Sequence, residues 1–227
     1  MGTVGMNTMV SAVRVVMDEN RVSTSLVQSN DIDTLSLNEL IERNVLTAAR
    51  TIELLAPRHM LADAEKYDSG TTAFELEKLG KGKYAGHLSL PDTLLRVVGV
   101  KMSDWQREGR LTDSGSPEYA CQRSEWLGVG GTPECPVAAV VPREDGYIGL
   151  ELYASTSEAA ALSYMTYVSL PQKDNNGNVN LCLPLKDAIT YMAASLTCMT
   201  LGESQTAAGL RDEAFMLAEI RMPDSNN

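Results

Sequence analysis

The most constraining stretch of this sequence is the run that starts at Ser36. Ser36-Leu37-Asn38-Glu39 is a capping box: the Ser36 hydroxyl accepts from the amide three residues on, and Glu39 reaches back to the Ser36 amide. Leu35 before the cap and Leu40 after it are placed to form a hydrophobic staple. Apolar residues then recur at Leu37, Leu40, Ile41, Val45, Ala48, Ala49, Ile52, Leu55 and Ala56, a single stripe at helical spacing. Pro57 ends it. A helix over 36–56 with one greasy face needs a partner, and its neighbours in sequence do not supply one. The run Asp63–Gly86 is polar and glycine-spaced, with one or two helical turns expected at Glu75–Leu79 and a flexible connection at Gly80-Lys81-Gly82-Lys83. Upstream, Val10–Met17 fits a short helix or a strand equally, because its valines are β-branched.

The partner is expected at the C-terminal end. Pro184 suits a first helical turn, and Leu185, Ala188, Ile189, Met192, Leu196 and Met199 make a stripe. Gly202 sits where a C-cap glycine belongs, and a second helix carries Ala207, Leu210, Ala214, Leu217 and Ala218 on one face. The short connection predicts an antiparallel αα-hairpin. Between the helical parts, Leu94–Met102, Val137–Val141, Tyr164–Val168 and the alternating Ile148, Leu150 and Leu152 read as strands. Arg143-Glu144-Asp145-Gly146 and Asp174-Asn175-Asn176-Gly177 read as turns. The fold class expected is α+β: a helical bundle, made of the long helix and the C-terminal αα-hairpin, with an inserted small antiparallel β unit and long loops. It is read as one adaptor-like domain over 1–227, its helical part at about 1–66 and 184–222 and its β and loop insertion at about 86–183.

Charge and composition narrow the function classes. The chain has 227 residues with 19 Lys+Arg against 30 Asp+Glu, a formal net charge of −11. Phosphate binding needs a basic footprint, so specific nucleic-acid binding is not expected, nor docking on an anionic membrane leaflet. The longest aliphatic run, Val137–Val141, is far short of the ~20 residues a bilayer requires. Arg14, Asp18 and Glu19 interrupt any signal-peptide core, and Met6 stands where a myristoylation site needs Ser or Thr. The four cysteines, Cys121, Cys135, Cys182 and Cys198, show no Cys-x-x-Cys pair, and neither His59 nor His87 has a neighbour at ligand spacing, so no metal site is expected. A reducing compartment is the default for such thiols.

No catalytic motif emerges. Gly128-Val129-Gly130-Gly131-Thr132-Pro133 lacks the following helix that a nucleotide loop needs, and Pro133 and Pro136 forbid one. There is no Gly-x-Ser-x-Gly elbow. His59, after Pro57, is expected to cap a helix end, and His87 to be solvated. Asp174–Asn178 has its glycine in the wrong place for a calcium loop, and no Glu closes it. Trp105 and Trp126 fit core plugs and interface anchors equally. Catalytic, cofactor-binding and metal residues are therefore expected to be none. A hydrolase built on an unrecognised carboxylate pair would need a concave pocket to hold it.

Certain strings carry a resemblance. Asp33-Thr34-Leu35-Ser36-Leu37 leads into a helix with Ala48-Ala49-Arg50 and then Ala56-Pro57. Leu88-Ser89-Leu90-Pro91-Asp92-Thr93-Leu94-Leu95-Arg96-Val97-Val98 follows, then Trp105, Glu151-Leu152-Tyr153 and the alanine-rich hairpin. Over roughly residues 30–220 the pattern resembles the head-to-tail connector (adaptor or ring) proteins of tailed bacteriophages, most of all those of short-tailed crAss-like phages. The resemblance implies a virion structural protein, made in the host cytoplasm and located at the head–tail junction. It implies a homo-oligomeric ring, commonly a dodecamer, that contacts the portal and other tail or ring proteins and lets DNA pass without binding it specifically. It brings no catalytic or cofactor residue. A cyclic ring needs two different faces on one subunit. An acidic wall does not trap phosphates, although −11 is equally what keeps an ordinary domain soluble. The alternative reading is an acidic cytosolic protein-binding module without catalysis.

Overall fold

The computed structural model describes residues 1–17, 36–67, 74–80, 82–124, 130–143 and 148–221. In chain order the elements are β1 (Gly2–Gly5), α1 (Met6–Val16), α2 (Leu37–Leu55), β2 (Glu65–Lys66), β3 (Phe74–Gly80), β4 (Lys83–Ser89), β5 (Leu94–Met102), β6 (Arg110–Asp113), α3 (Pro117–Gln122), β7 (Val137–Pro142), β8 (Ile148–Ser155), β9 (Leu162–Ser169), β10 (Asn178–Leu181), α4 (Lys186–Thr200) and α5 (Ser204–Leu217). They fall into two compact units, one of Met1–Ala64 with Leu170–Asn227, the other of Glu65–Ser169.

The first unit is built on α2, α4 and α5, with α1 packed on α2 and α4. The capping box forms as the sequence requires, with the Glu39 amide donating to Ser36 Oγ and the Ser36 amide to Glu39 Oε2. The stripe of α2 is buried at Leu37, Ile41, Val45, Ala48, Ala49 and Ile52. Leu35, the other half of the staple, lies outside the described residues. The ambiguous N-terminal segment is helix α1, which buries Met6, Met9, Val10 and Val13. α4 and α5 form the expected hairpin. Gly202 takes φ +87°, which only glycine adopts freely, and the Glu203 and Gly202 amides donate to the Cys198 and Met199 carbonyls in a Schellman motif. Replacing Ser36 with Ala removes the cap and lowers stability by about 1 kcal/mol, read as a shift of the urea midpoint.

β1 pairs antiparallel with β10 beside these helices. The Asp174–Gly177 turn reverses the chain before β10: Asp174 Oδ1 accepts from the Asn176 and Asn178 amides at 2.8 and 2.7 Å, and Gly177 has φ +79°. Those amides hold the Asp174 carboxyl below its ordinary range. After β10, two carboxylates take two successive amides. Glu53 Oε1 accepts from Cys182 at 2.6 Å, and Asp63 Oδ2 from Leu183 at 2.9 Å. Glu53 is fully buried, and burial raises its pKa from 4.5 to about 7, with the Cys182 amide acting in the opposite direction. The folded state therefore holds its proton more tightly than the unfolded chain. This contribution to stability is fully present below pH 4.5 and is lost as pH rises through about 7, an effect of about 3 kcal/mol at most. Glu53→Gln keeps the acceptor for the Cys182 amide and cannot ionise. Its melting temperature matches the native chain near about pH 5 and exceeds it near about pH 8, as calorimetry at both values will read. An equal drop at both would show that the carboxylate is needed ionised.

The second unit corrects the fold expected from sequence. The described residues hold ten strands, and this unit has two sheets, β2-β9-β5 and the five-stranded β3-β4-β8-β7-β6. The protein is thus a mixed α/β fold and not a helical bundle carrying a small antiparallel unit. The β6–β7 pair is parallel. The largest departure is β3, where helical turns were expected at Glu75–Leu79. Glu, Leu and Lys favour helices in isolation, but Phe74-Glu75-Leu76-Glu77 also alternates with period two, and pairing with β4 decides the matter. The expected flexible connection is a tight hairpin, with Gly80 and Gly82 at φ +98° and +74°. β6 and β10, at four residues each, were too short to announce themselves. The strands expected at Leu94–Met102, Val137–Val141 and Tyr164–Val168 are β5, β7 and β9.

The two sheets share a core. Leu88, Leu90, Ala138, Leu150 and Leu152 from the larger sheet meet Val97, Val100, Met102 and Met165 from the smaller. Trp105 is a core plug, 3% exposed, and Gly109 makes room for it: a Cβ there would lie 2.7 Å from the indole ring. Trp126 lies outside the described residues. Ile148, expected on the greasy face of β8, is 48% exposed at the strand's first position.

Candidate functional site

Strand alternation divides β8 between two environments. Leu150 and Leu152 point into the sandwich, so Glu151 and Tyr153 point to the opposite face. On that face the flanking strands place His87 and Ala139 beside Glu151 in register. Helix α3 lies over them. Ser116 caps it by accepting from the Tyr119 amide, Pro117 opens it, and Arg110 pairs with Glu118 at 2.7 Å. The helix is short, and the Gln122 side chain braces it, donating to the Glu118 carbonyl within the helix and accepting from the Gly131 amide outside it.

Six polar side chains converge here. Glu151 Oε2 accepts from the hydroxyls of Tyr119, at 3.1 Å, and Tyr153. Its Oε1 lies 3.8 Å from His87 Nδ1 and 3.9 Å from Arg123 Nη2. His87 Nε2 is 2.9 Å and Arg123 Nη2 3.3 Å from Glu77 Oε2. Burial, then Glu151, pushes both phenols upward in pKa, so they keep their protons and donate hydrogen bonds to the carboxylate. The Tyr119 and Tyr153 rings meet edge to face at 6.2 Å. Beside the cluster lies a cleft of about 580 Å³ lined by His87, Tyr119, Val141, Arg143, Gly149 and Glu151. Gly149 lets Arg143 cross the strand, and Arg143 reaches Ser89 Oγ at 2.5 Å.

The geometry makes this cluster a clamp. A general base needs a lone pair aimed at a substrate proton. Here Oε2 of Glu151 already holds both phenol donors, Oε1 lies within ion-pair reach of His87 and Arg123, and Arg123 and His87 tie α3 and two strands into one network. A largely buried carboxylate, 14% exposed, that accepts from two phenols is held in place, and loss of one donor is costly.

The residues singled out from sequence scatter over the molecule. His59, expected as a helix cap, is exposed and pairs instead with Glu219 at 2.8 Å. His87, expected in solvent, is 18% exposed within the clamp. Cys182 and Cys198 are buried, Cys121 is half-buried, and exposed Cys135 accepts from Arg107 Nη2 at 2.7 Å. Burial, then the charges of Glu53 and Asp63, pushes the Cys182 thiol up to about 12, which keeps it protonated and inert. Of the glycine run, Gly130 and Gly131 pack against α3, whereas Gly128 and Val129 lie outside the described residues. So do Glu144–Gly146 of the expected hairpin loop. Among the described residues no group of three or more His, Cys, Asp or Glu is placed to hold a metal ion, and no helix is long and apolar enough to cross a membrane.

Sequence reasoning missed the clamp because its members come from positions 77, 87, 119, 123, 151 and 153, with no fixed spacing. The one available signal was a glutamate and a tyrosine on the polar side of an otherwise greasy strand. No protein-family model matches the chain, and no curated protein matches it.

Tyr119→Phe removes one charge-assisted hydrogen bond and costs about 1.5 kcal/mol. Hydrogen exchange will show α3 amides losing protection while β8 keeps its own. Unchanged α3 protection would mean that the clamp does not hold the helix.

Proposed function

We propose that this chain is a structural component of a tailed-bacteriophage virion, a head-to-tail connector that assembles as a ring between portal and tail and lines part of the genome conduit. One observation carries the reading. Nine large hydrophobic side chains are exposed among the described residues: Val15, Leu54, Leu55, Leu183, Met199, Leu201, Met216 and Leu217 in the helical unit, and Ile148 alone in the β unit. Apolar exposure concentrated on one unit, on more than one of its faces, supports surfaces there made to be covered by protein. The resemblance described above supplies the kind of assembly, including a ring that is commonly twelvefold. The net charge of −11 suits a wall past which DNA slides. The side chains of the clamp are engaged with one another, which favours a structural role over turnover.

The test is incorporation. Purified particles are expected to contain the protein at the junction, located by cryo-electron microscopy, and the isolated protein is expected to bind the portal protein encoded beside it. Particles that mature and infect normally without it would end the proposal. A stable monomer with a single asymmetric partner would favour a cytosolic binding module instead.

A further inference from the structure

The helical unit carries two outward helix faces that match each other. Asn44 on α2 donates to Thr197 of α4 at 3.0 Å, and Ser195 of α4 donates to the Ala207 carbonyl of α5 at 2.6 Å. Residues two apart on a helix point about 160° from one another. α2 and α5 therefore flank α4 on opposite sides, and each presents its far face to solvent. Both run antiparallel to α4: Glu53, near the end of α2, meets Cys182 just before α4, Asn44 meets the far end of α4, and α5 returns through the Gly202 turn. α2 and α5 are thus parallel to each other.

The outward stripe of α2 is Arg43, Thr47, Arg50 and Leu54, all exposed. That of α5 is Gln205, Gly209, Asp212 and Met216, also exposed and at the same four, three, four spacing. Laid parallel, the stripes place Arg43 opposite Gln205, Thr47 opposite Gly209, Arg50 opposite Asp212, and Leu54, 49% exposed, opposite Met216, 63% exposed. Gly209 has open space around its Cα, with nothing within 4 Å of a would-be Cβ, so a second helix can approach closely there. Beside Thr47 and Arg50 is a groove of about 270 Å³, lined also by Leu46, Leu170, Pro171 and Gln172. Among the described residues Asp212 pairs with its neighbour Arg211, at 3.0 Å, with both side chains substantially exposed. A pair of that kind is worth little and is easily exchanged.

We propose that α5 of one copy docks on α2 of the next, Asp212 to Arg50 and Met216 to Leu54, as the repeating contact between subunits of this chain. The two faces differ, so the contact is heterologous. Copies turned about an axis running along the helices keep them parallel, and such a contact closes into a ring when the turn per copy divides a full circle. The proposal deepens the connector reading by naming the neighbour of the helical surface, and it relies on that reading only for ring closure.

The test uses charge exchange on the full chain. Sedimentation and native mass spectrometry of the wild-type protein are expected to show concentration-dependent oligomers. Arg50→Asp and Asp212→Arg should each weaken self-association by about tenfold or more, since each sets like charges opposite one another. Both positions are exposed, so melting temperatures should hold, which separates lost contact from lost fold. Mixing the two variants restores opposite charges at every contact and should restore assembly, as should the double variant. Wild-type protein that stays monomeric at its solubility limit overturns the proposal. So do single variants that assemble as the wild type does, and that result leaves the connector reading standing on another face. Charge exchange as expected in a protein missing from particles would do the reverse.

Discussion

The helical unit depends on the burial of α4 from nearly every direction. Ala188, Ile189, Thr190, Met192, Ala193, Ala194, Ser195, Thr197 and Cys198 are all buried, so α4 has no solvent face of the ordinary amphipathic kind. Small side chains make this possible by letting α2 and α5 approach closely. The three polar ones are each satisfied: Thr190 and Thr197 bond back to the carbonyls four residues earlier, and Ser195 reaches across to α5. The segment that leads into α4 is fixed by Glu53 and Asp63, which take the consecutive amides of Cys182 and Leu183. A carboxylate buried to the extent of Glu53 opposes its own ionisation, and it makes the junction sensitive to pH.

The β unit solves a different problem with a different core. Two sheets share one apolar interior around Trp105, and the larger sheet is left with a second face to manage. That face is covered in part by α3, which is too short to be stable alone and is pinned by the Glu151 clamp. The polar cluster is therefore legible as architecture: two carboxylates, two phenols, a guanidinium and an imidazole fasten a single helical turn and a half to a sheet. Gly149, which has no side chain, lies in the wall of the cleft beside it.

What was legible in the sequence follows the range of the forces involved. The α2 helix could be read from its cap, stripe and proline because each acts within a few residues. The Gly202 hairpin and the Asp174 turn were equally local. β3 was misread because its residues favour helix by themselves and become a strand only through β4. Leu196 and Met199, counted in the α4 stripe, are half-buried and exposed, since the buried faces of α4 are lined by its Ala, Ser and Thr positions.

By itself the sequence determined α2 with its cap, the α4–α5 hairpin with its Gly202 turn, the Asp174 turn, the longest strands and an acid excess of 11 charges. These rest on propensity, periodicity and composition, which need no distant partner. Only the tertiary structure decided that the β part holds a five-stranded mixed sheet, that Glu53 is buried, that His87 meets Glu77 and Glu151, and that α2 and α5 turn matching faces outward. Each of these joins residues far apart in the chain, and no local rule fixes which of many possible long-range pairings gives the lowest free energy.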